Sequence, residues 1–394
     1  MISLRSKPRS TAVLSFTSAL LVTCAWAAPA HAQTTAPSYR VEIIPKLPGN
    51  VVATYLKVNE SGQVLASGVR TDNGSQQTTS VVWSGPGPGQ SSTPSLAGFG
   101  PSFITDNGTL VGGYNFGVAA LAPNGSYTML TSGQAGDRTT VAVVAPNGDF
   151  AGTNDFSGQA IYRNRSGAVS VTALPNGKKP GRWTGMNNDG VVAGTATDGG
   201  GLNFNQAWVL RNGVANYLPQ TADGFVGGTV AVDLDSRGRV LGRITNGTGN
   251  RAAIWGANDV ATLLIAPAGF TVRGAAFNAS STVLSYYDNI SGIPVPGAYG
   301  QGINTPDGNY SWASIVDPVS ATWRVLEWLD ISDSGYIVGR AVLPTNDIVA
   351  FRMTLISAVP EPGTAVSLAL GGAFVLLAWR RAQGRRDEAL GAAA

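Results

Sequence analysis

The residues that most often carry out chemistry in proteins are scarce in this sequence of 394 residues. It contains one histidine, His31, and one cysteine, Cys24. Both lie within the first 32 residues, which we expect to be removed from the mature chain. The remainder then has no disulfide, no His or Cys metal ligand and no nucleophile activated by an imidazole. Any catalysis would depend on carboxylates, Tyr, Lys, Ser or Thr.

Acidic residues are therefore the main candidates for catalysis. Glycoside hydrolysis, for example, needs two carboxylates that converge on one site. However, Asp106, Asp189, Asp235 and Asp333 occupy equivalent turns of an internal repeat, where turn formation explains them. Residues 233–238 resemble the opening of a calcium loop but lack its third acidic ligand and distal Glu. We predict a body without metal, cofactor or catalytic activity; the alternative is a secreted carbohydrate-active enzyme with paired carboxylates on one face.

Aromatic residues could contact a ligand by stacking on it. Trp83, Trp208 and Trp255 recur at equivalent positions of the repeat, which predicts that they fill the core. The segment 286–323 is the least regular part of the chain and is rich in aromatic residues. We predict ligand contacts there, because binding residues concentrate in irregular segments; the alternative is an elaborated repeat with its own core. The candidate contacts are Tyr286, Tyr287, Tyr299 and Trp312.

The first 32 residues have the pattern of a secretory signal peptide. Three basic residues in the first nine positions precede an apolar stretch at 11–28. A small-residue cleavage motif with Ala30 and Ala32 follows. We expect the secretion translocon to export the chain and signal peptidase to cleave it after Ala32.

The last segment, 357–394, has the pattern of a short membrane anchor. A Pro-Glu-Pro sequence precedes an apolar run at 365–379, which predicts a short transmembrane helix. Four arginines follow the run and favour retention of this end in the cytoplasm. The motif residues are Pro360, Glu361 and Pro362, and the arginines are Arg380, Arg381, Arg385 and Arg386.

This tail resembles the PEP-CTERM sorting signal, with its three parts in the same order over about residues 358–386. The resemblance implies that an exosortase acts near the Pro-Glu-Pro motif. It also implies a Gram-negative bacterium that makes exopolysaccharide. The chain would be anchored transiently in the inner membrane and would then reach the cell surface or the extracellular space.

The charge of the chain changes once these two segments are set aside. Residues 1–32 and 363–394 hold seven of the 26 basic residues and two of the 23 acidic residues, which leaves residues 33–362 with 19 basic and 21 acidic residues. No basic cluster longer than Lys178-Lys179 occurs there. Nucleic-acid binding needs a concentrated positive surface, so we predict none.

A short unit recurs seven times in the body, at intervals of 40 to 54 residues. Each copy places an Asx-rich turn between two apolar segments, and Asn-Gly or Asp-Gly suits a hairpin turn with positive φ. Third and fourth strand patterns follow most copies. Four strands every 40–45 residues is the period of a propeller blade, so we predict an all-β, seven-bladed β-propeller over residues 33–356; the alternative is an open β-solenoid or a sandwich pair. The seven marker residues are Gly62, Gly108, Gly148, Gly190, Gly238, Ser281 and Gly335.

The two ends of the body predict how the ring closes. The last repeat ends at 351–356, after its third strand. Residues 39–44, near the start of the mature chain, resemble the missing fourth strand. We therefore predict that both ends form one sheet, which would also leave no open edge between the first and last repeats.

The repeats resemble the HAF family of extracellular repeats over about residues 50–355. In that family an Asn-x-x-Gly-x-Val-x-Gly unit precedes an Ala-aromatic strand. This chain has Gln206-Ala207-Trp208 at that step and lacks the family's His before it. The resemblance implies export and a propeller-like fold, but no reaction. Together with the tail it predicts a non-catalytic surface or extracellular-matrix protein that contacts exopolysaccharide.

Overall fold

A computed structural model describes most of the body of this protein. The chain divides into two units, residues 1–36 and 37–394, and the description concerns the second. The described residues are 36–72, 75–86, 91–94, 96–115, 117–131, 139–154, 160–164, 167–171, 174, 181–196, 205–246, 249–266, 270–289 and 300–356.

The described residues form seven antiparallel four-stranded sheets, which confirms the predicted seven-bladed β-propeller. The first strand, β1, is Ser38–Ile44 and belongs to the last blade. Blades 1 to 3 contain β2 Tyr55–Val58, β3 Val64–Asp72, β4 Ser75–Trp83 and β5 Ser91–Ser92; β6 Phe99–Ile104, β7 Leu110–Tyr114, β8 Gly117–Leu121 and β9 Tyr127–Met129; and β10 Thr139–Val144, β11 Phe150–Asn154, β12 Ala160–Asn164 and β13 Gly167–Val171.

The remaining blades follow the same order of strands. Blade 4 contains β14 Arg182–Met186, β15 Val192–Ala196, β16 Gln206–Arg211 and β17 Val214–Tyr217. A small hairpin of β18 Thr221–Ala222 and β19 Phe225–Val226 follows. Blade 5 contains β20 Gly228–Leu234, β21 Val240–Asn246, β22 Gly249–Trp255 and β23 Ala261–Leu263. Blades 6 and 7 contain β24 Phe270–Phe277, β25 Val283–Asn289, β26 Gly300–Thr305 and β27 Gly308–Ser311, then helix α1 Trp312–Ile315, a 3-10 turn Ser320–Thr322, β28 Arg324–Ile331, β29 Ile337–Val342 and β30 Ile348–Ile356.

The ring closes as the sequence predicts. Strand β1 is the fourth strand of blade 7 and pairs antiparallel with β30, from Ser38 opposite Ile356 to Ile44 opposite Ala350. The order in that sheet is β1-β30-β29-β28. The two ends of the propeller are therefore hydrogen-bonded to each other, which ties the first described strand to the last.

The seven markers lie in the turns between the first and second strands of the blades. All seven have positive φ, from 64° at Ser281 to 93° at Gly148. In blade 1 the Gly62 amide donates to the Asn59 carbonyl at 3.0 Å, and the Asn59 side chain accepts hydrogen bonds from the amides of Ser61 and Gln63. The Asx residue therefore holds the turn, and the marker supplies the left-handed backbone that the turn needs.

The third strands supply the largest core side chains. Trp83, Trp208 and Trp255 are 0–2% exposed, which confirms their predicted place in the core. Trp208 packs edge-on against Trp183 at 5.3 Å between ring centroids. The Trp255 indole donates to the Pro219 carbonyl at 3.0 Å, so its one polar group is satisfied although the ring is buried.

Small residues at the start of most second strands allow close contact with the first strand. A Cβ at Gly112 of β7 would overlap the Gly100 carbonyl oxygen and lie 2.7 Å from the Pro101 Cα. The next residue, Gly113, has open space around its Cα hydrogens, and a Cβ there would meet nothing within 4 Å. The two neighbouring glycines thus differ in packing but share one strand.

We expect Gly112→Ala to lower the free energy of unfolding by about 1–3 kcal/mol, because backbone atoms must shift to admit the methyl group. Gly113→Ala is the matched control, and we expect it to be neutral or slightly stabilising because alanine has less conformational freedom in the unfolded chain. Chemical denaturation of both variants measures the difference. Equal destabilisation by the two substitutions would contradict close packing at Gly112.

The predicted leader and anchor lie outside the described residues. Within the part of the chain that the structure describes, no helix has the length and apolar character needed to cross a bilayer. The segments that carry the predicted signal peptide and transmembrane helix, 1–32 and 357–394, are not among those residues.

Candidate functional site

The first strands of all seven blades surround a cavity on the propeller axis. The same position of the first strand, five residues before the marker, recurs in every blade. In each blade it pairs with the residue of the second strand that lies three positions after the marker. Three of these positions are charged although the others are apolar or Gly. The seven residues are Lys57, Phe103, Val143, Gly185, Asp233, Ala276 and Asp330; all except Ala276 line the cavity, and blade 6 reaches it through Phe277. The cavity has a volume of about 150 Å³ and extends to the turns that carry the markers.

The three charged residues are held by hydrogen bonds between blades. Lys57 Nζ lies 3.1 Å from Asp330 Oδ1, and Asp330 Oδ2 accepts from the Val58 amide at 3.0 Å. Asp233 Oδ2 accepts from the Phe277 amide of the next blade at 3.0 Å. Each carboxylate therefore joins its own blade to the following one and lines the cavity with a fixed geometry.

The surroundings shift the pKa values of Asp233 and Lys57. Burial raises the pKa of the Asp233 carboxyl to about 7, and the charge of Asp330 adds to that rise, whereas Lys57 and two backbone amides oppose it. Burial by itself would lower the pKa of the Lys57 ammonium, but the nearby carboxylates of Asp330 and Asp233 outweigh burial and raise that pKa. Near neutral pH, Asp233 therefore exchanges a proton while Lys57 stays charged.

The turns at the cavity mouth form a closed ring of hydrogen bonds. Every blade is bonded to the next through its marker turn, and the last turn is bonded to the first. The seven links are Asn59 Nδ2 to Thr105 O, Asp106 N to Pro146 O, Asn147 N to Asn188 Oδ1, Asn187 Nδ2 to Ser236 O, Arg239 to Asn278 O, Asn278 Nδ2 to Ser332 O, and Asp333 N to Glu60 Oε1.

The mouth is acidic. Glu60, Asp106, Asp235 and Asp333 line it, whereas Asp189 does not. Burial raises the pKa of Asp106, and the charges of Glu60 and Asp333 raise it further, against a hydrogen bond from the Glu60 amide. Turn formation alone therefore does not describe these residues, because three of the four turn aspartates also face the cavity.

Asp235, in the segment that resembles the opening of a calcium loop, forms an ion pair with Arg239. The Asp235 side chain accepts from the Arg239 amide and from its guanidinium, both at 2.7 Å. Among the described residues, no group of three His, Cys, Asp or Glu side chains is placed to hold a metal ion.

The predicted aromatic contacts do not converge on the axial cavity. Trp312 is buried in α1, donates from Nε1 to the Ser320 carbonyl at 2.8 Å and packs against Phe351. The Tyr286 hydroxyl accepts from the Trp328 amide at 2.9 Å, and the Tyr287 hydroxyl is hydrogen-bonded to Asn304. These three residues therefore pack within blades 6 and 7, as the alternative of an elaborated repeat expects. Tyr299 lies outside the described residues.

The predicted targeting residues also lie outside the described residues. They are the cleavage residues Ala30 and Ala32, the motif Pro360, Glu361 and Pro362, and the arginines Arg380, Arg381, Arg385 and Arg386.

The charged residues that line the axial cavity were not identified by the sequence analysis. Lys57, Asp233 and Asp330 lie in strands of mostly apolar residues, five positions before Gly62, Gly238 and Gly335. Alignment of the seven copies on their markers would have shown three charges at one strand position. That signal was available, but it has meaning only when the position is known to face the axis.

Neither a comparison with protein-family models nor one with curated proteins finds a match for the sequence. Among solved structures, the chain is similar to a puromycin-hydrolysing peptidase from Mycobacterium tuberculosis, with 11% identity over 81% of this chain and 57% of that one and a TM-score of 0.50. A virginiamycin B lyase from Staphylococcus aureus matches at 14% identity over 81% of this chain and 100% of that one, with a TM-score of 0.49. Identities this low show the fold alone.

These similarities correct one prediction. The prediction that the body is not an enzyme is not supported, because a peptidase is among the structural neighbours that share its propeller fold. The absence of His and Cys from the body excludes particular mechanisms but does not exclude catalysis by carboxylates. Asp233 and Asp330 both line the axial cavity, and burial raises the pKa of the Asp233 carboxyl to about 7.

Proposed function

We propose that this chain is an exported propeller of the cell surface or extracellular matrix, and that its axial cavity takes one unit of an extracellular polysaccharide. The cavity, lined by every blade and charged at Lys57, Asp233 and Asp330, is the observation that carries the proposal. Export is supported by the leader and tail patterns of the sequence. The fold supports a ligand site because axial residues from all seven blades meet there.

The size and chemistry of the cavity favour a sugar ring. A cavity of about 150 Å³ can hold a benzene molecule, and the open mouth leaves room for exocyclic groups. The polar groups of Asp233, Asp330 and Lys57 suit hydroxyl groups, and Phe103 and Phe277 supply apolar surface. Glu60, Asp106 and Asp333 make the mouth acidic, so we expect neutral sugars to bind better than uronates.

The methionines of the chain allow a direct test of binding. Met186 lines the cavity, Met129 is 38% exposed on an outer strand and Met353 is fully buried. In protein with 13C-labelled methionine methyl groups, we expect neutral disaccharides such as maltose or lactose to shift the Met186 signal. Met129 and Met353 serve as internal controls and should not move.

Two outcomes would contradict binding in the axial cavity. One is an unchanged Met186 signal with every neutral saccharide tested. The other is an equal response to glucuronate, because the acidic mouth should repel an anion.

The same cavity supports a second function, the hydrolysis of a glycosidic bond. The raised pKa of Asp233, which lines the cavity together with a second carboxyl, Asp330, is the observation that favours it, because glycoside hydrolysis uses two carboxyl groups at one site, one of them a proton donor. Asp233 would donate its proton to the glycosidic oxygen as the bond between that oxygen and the anomeric carbon breaks. Water would add to the anomeric carbon and lose a proton to Asp330.

Release of reducing sugar from a neutral polysaccharide measures this second function. We expect Asp233→Asn to reduce turnover at least about 100-fold, the usual contribution of a positioned general acid. Met186 of that variant should still respond to the saccharide. Binding at Met186 without any release of sugar by the unsubstituted protein would reject hydrolysis and leave the binding proposal intact.

The tail supports sorting by an exosortase, and this part of the proposal has its own test. We expect replacement of Pro360, Glu361 and Pro362 by alanine to leave the protein in the inner membrane, because the sorting enzyme would lack its motif. Fractionation of cells into membrane and released material measures the outcome. Normal release of the variant would reject the sorting role.

A further inference from the structure

A second cavity, of about 360 Å³, lies between blades 1 and 2 and reaches the first strand of blade 3. We refer to it as the blade crevice. Phe103 lines both the blade crevice and the axial cavity. Tyr55 lines the crevice at the start of β2, two residues before Lys57, which places it about 6–7 Å farther from the marker turn along the strand.

The blade crevice differs from the axial cavity in its polar groups. Five side chains that line it bear hydroxyl groups, and none of its lining residues is Asp, Glu, Lys or Arg. Burial raises the pKa of the Tyr55 phenol, so that hydroxyl is neutral at physiological pH. The five are Thr54, Tyr55, Ser67, Thr78 and Ser102.

The hydroxyl groups divide into two sets. Tyr55 donates to the Ser102 carbonyl at 2.6 Å, and Ser67 is hydrogen-bonded to Ser80 at 2.8 Å. The side chains of Thr54, Thr78 and Ser102 make no hydrogen bond to another described residue. Tyr55 and Ser67 thus shape the wall, while Thr54 and Thr78, which are exposed, and Ser102, which is half-buried, have hydroxyls available to a ligand.

Apolar residues complete the wall. Val69 leaves 49% of its surface exposed at the crevice, and Phe103 and Val141 line the inner part. A charged ligand would lose hydration there without meeting a compensating charge. A ligand that has both C–H surface and hydroxyl groups would match the apolar wall and the three open hydroxyls together.

We propose that the blade crevice is a second binding site, specific for an uncharged hydroxylated ring compound such as one neutral sugar unit. The volume is within the range of about 300–1,000 Å³ that small-molecule pockets have. The site is separate from the axial cavity, and the proposal does not depend on what binds there.

Methyl groups of Val69 and Val141, assigned by single Val→Ile substitutions, report on the crevice. We expect glucose or galactose to shift both signals with millimolar affinity and to saturate. Glucosamine as its cation and glucuronate should bind at least about tenfold more weakly. The axial reporter Met186 records the other cavity in the same samples, so failure at one cavity is distinguishable from failure at the other.

Substitutions on β4 test the location. Thr78→Trp fills the opening and should weaken glucose binding at least about tenfold, and Thr78→Val, which removes only the hydroxyl, about threefold. Gln77→Trp is the matched control, because Gln77 is also exposed but is on the opposite face of the same strand. Unchanged Val69 and Val141 signals with both neutral sugars, or equal loss of binding in the Gln77 variant, would overturn the proposal.

Discussion

Replacement of Arg352 by methionine should lower the free energy of unfolding by about 3–5 kcal/mol, the usual cost of removing one partner from a buried ion pair. Arg352 lies on β30 and is 6% exposed. Its guanidinium donates to Glu42 of β1 at 2.6 Å and also to the Gly62 carbonyl in the first turn of blade 1. It also lies over the Trp83 ring, 4.4 Å from the centroid.

The large effect follows from the position of Arg352 in the ring. One side chain joins the strand at the start of the propeller, the strand at its end and the first turn of blade 1. Methionine retains much of the apolar stem, but it leaves the largely buried Glu42 carboxylate with only the exposed Arg40 as an ionic partner. The Gly62 carbonyl loses its donor as well.

Chemical denaturation of Arg352→Met, Glu42→Gln and the double variant measures this coupling. We expect the double variant to be less destabilised than the sum of the two single variants, because the single Arg substitution leaves a buried charge. Arg340→Met is a control on the same blade, since the Arg340–Glu327 pair is partly exposed, and its loss should cost less than about 1 kcal/mol. Similar losses of unfolding free energy for the Arg352 and Arg340 variants would show that the contacts of Arg352 where the ring closes have no special role in stability.

The second large effect concerns pH. Folding raises the pKa of Asp233 from an ordinary value of 3.8 to about 7, so between these values the folded protein holds a proton that the unfolded chain has lost. The stability that this proton contributes is complete below about pH 4 and is lost as the pH rises through 7. Lowering the pH from 8 to 5 should therefore stabilise the protein by about 2–3 kcal/mol.

The composition makes this prediction unusually clear. The single histidine, His31, lies in the predicted leader, so no imidazole titrates in residues 33–356 over that pH range. Asp106, whose pKa burial also raises, would contribute in the same direction. Lys57 stays charged throughout, because its pKa is raised above a value already far from neutral.

Denaturation at pH 5 and pH 8 measures the difference, and Asp233→Asn is the comparison. The variant should lose most of the dependence on pH. It should also be less stable at both values, because the amide cannot accept both backbone hydrogen bonds that the carboxyl accepts. Equal stability of the unsubstituted protein at the two pH values would contradict a raised pKa at Asp233.

The repeat pattern was sufficient to predict most of the fold. Markers such as Gly62 and Ser281 specify where a turn with positive φ must occur, and this local requirement recurs seven times. The small residues that follow the markers indicate where strands approach closely. The missing fourth strand after residue 356 predicted the pairing of β1 with β30, because an unpaired edge would otherwise remain in the last blade.

The candidate site was predicted less well. The irregular segment around Trp312 predicts ligand contacts; Tyr286, Tyr310 and Trp312 pack in the core of blades 6 and 7, and ligand contact there stays a prediction. Conversely, Lys57 and Asp233 lie in apolar strands and have no distinctive neighbours in the sequence. Which face of a first strand points to the axis depends on bulges within the strand, such as the one between Ala231 and Asp233.

The sequence by itself determined the number of repeats, the turns and the partner of the last strand, because each depends on backbone preferences within a few residues or on a missing strand. Only the tertiary structure decided that Lys57, Asp233 and Asp330 meet on one axis. They are separated by 176 and 97 residues along the chain, and closure of the ring brings them together. Proximity of that kind is a property of the assembled blades, so the shared repeat position of the three charges has meaning only once that position is known to face the axis.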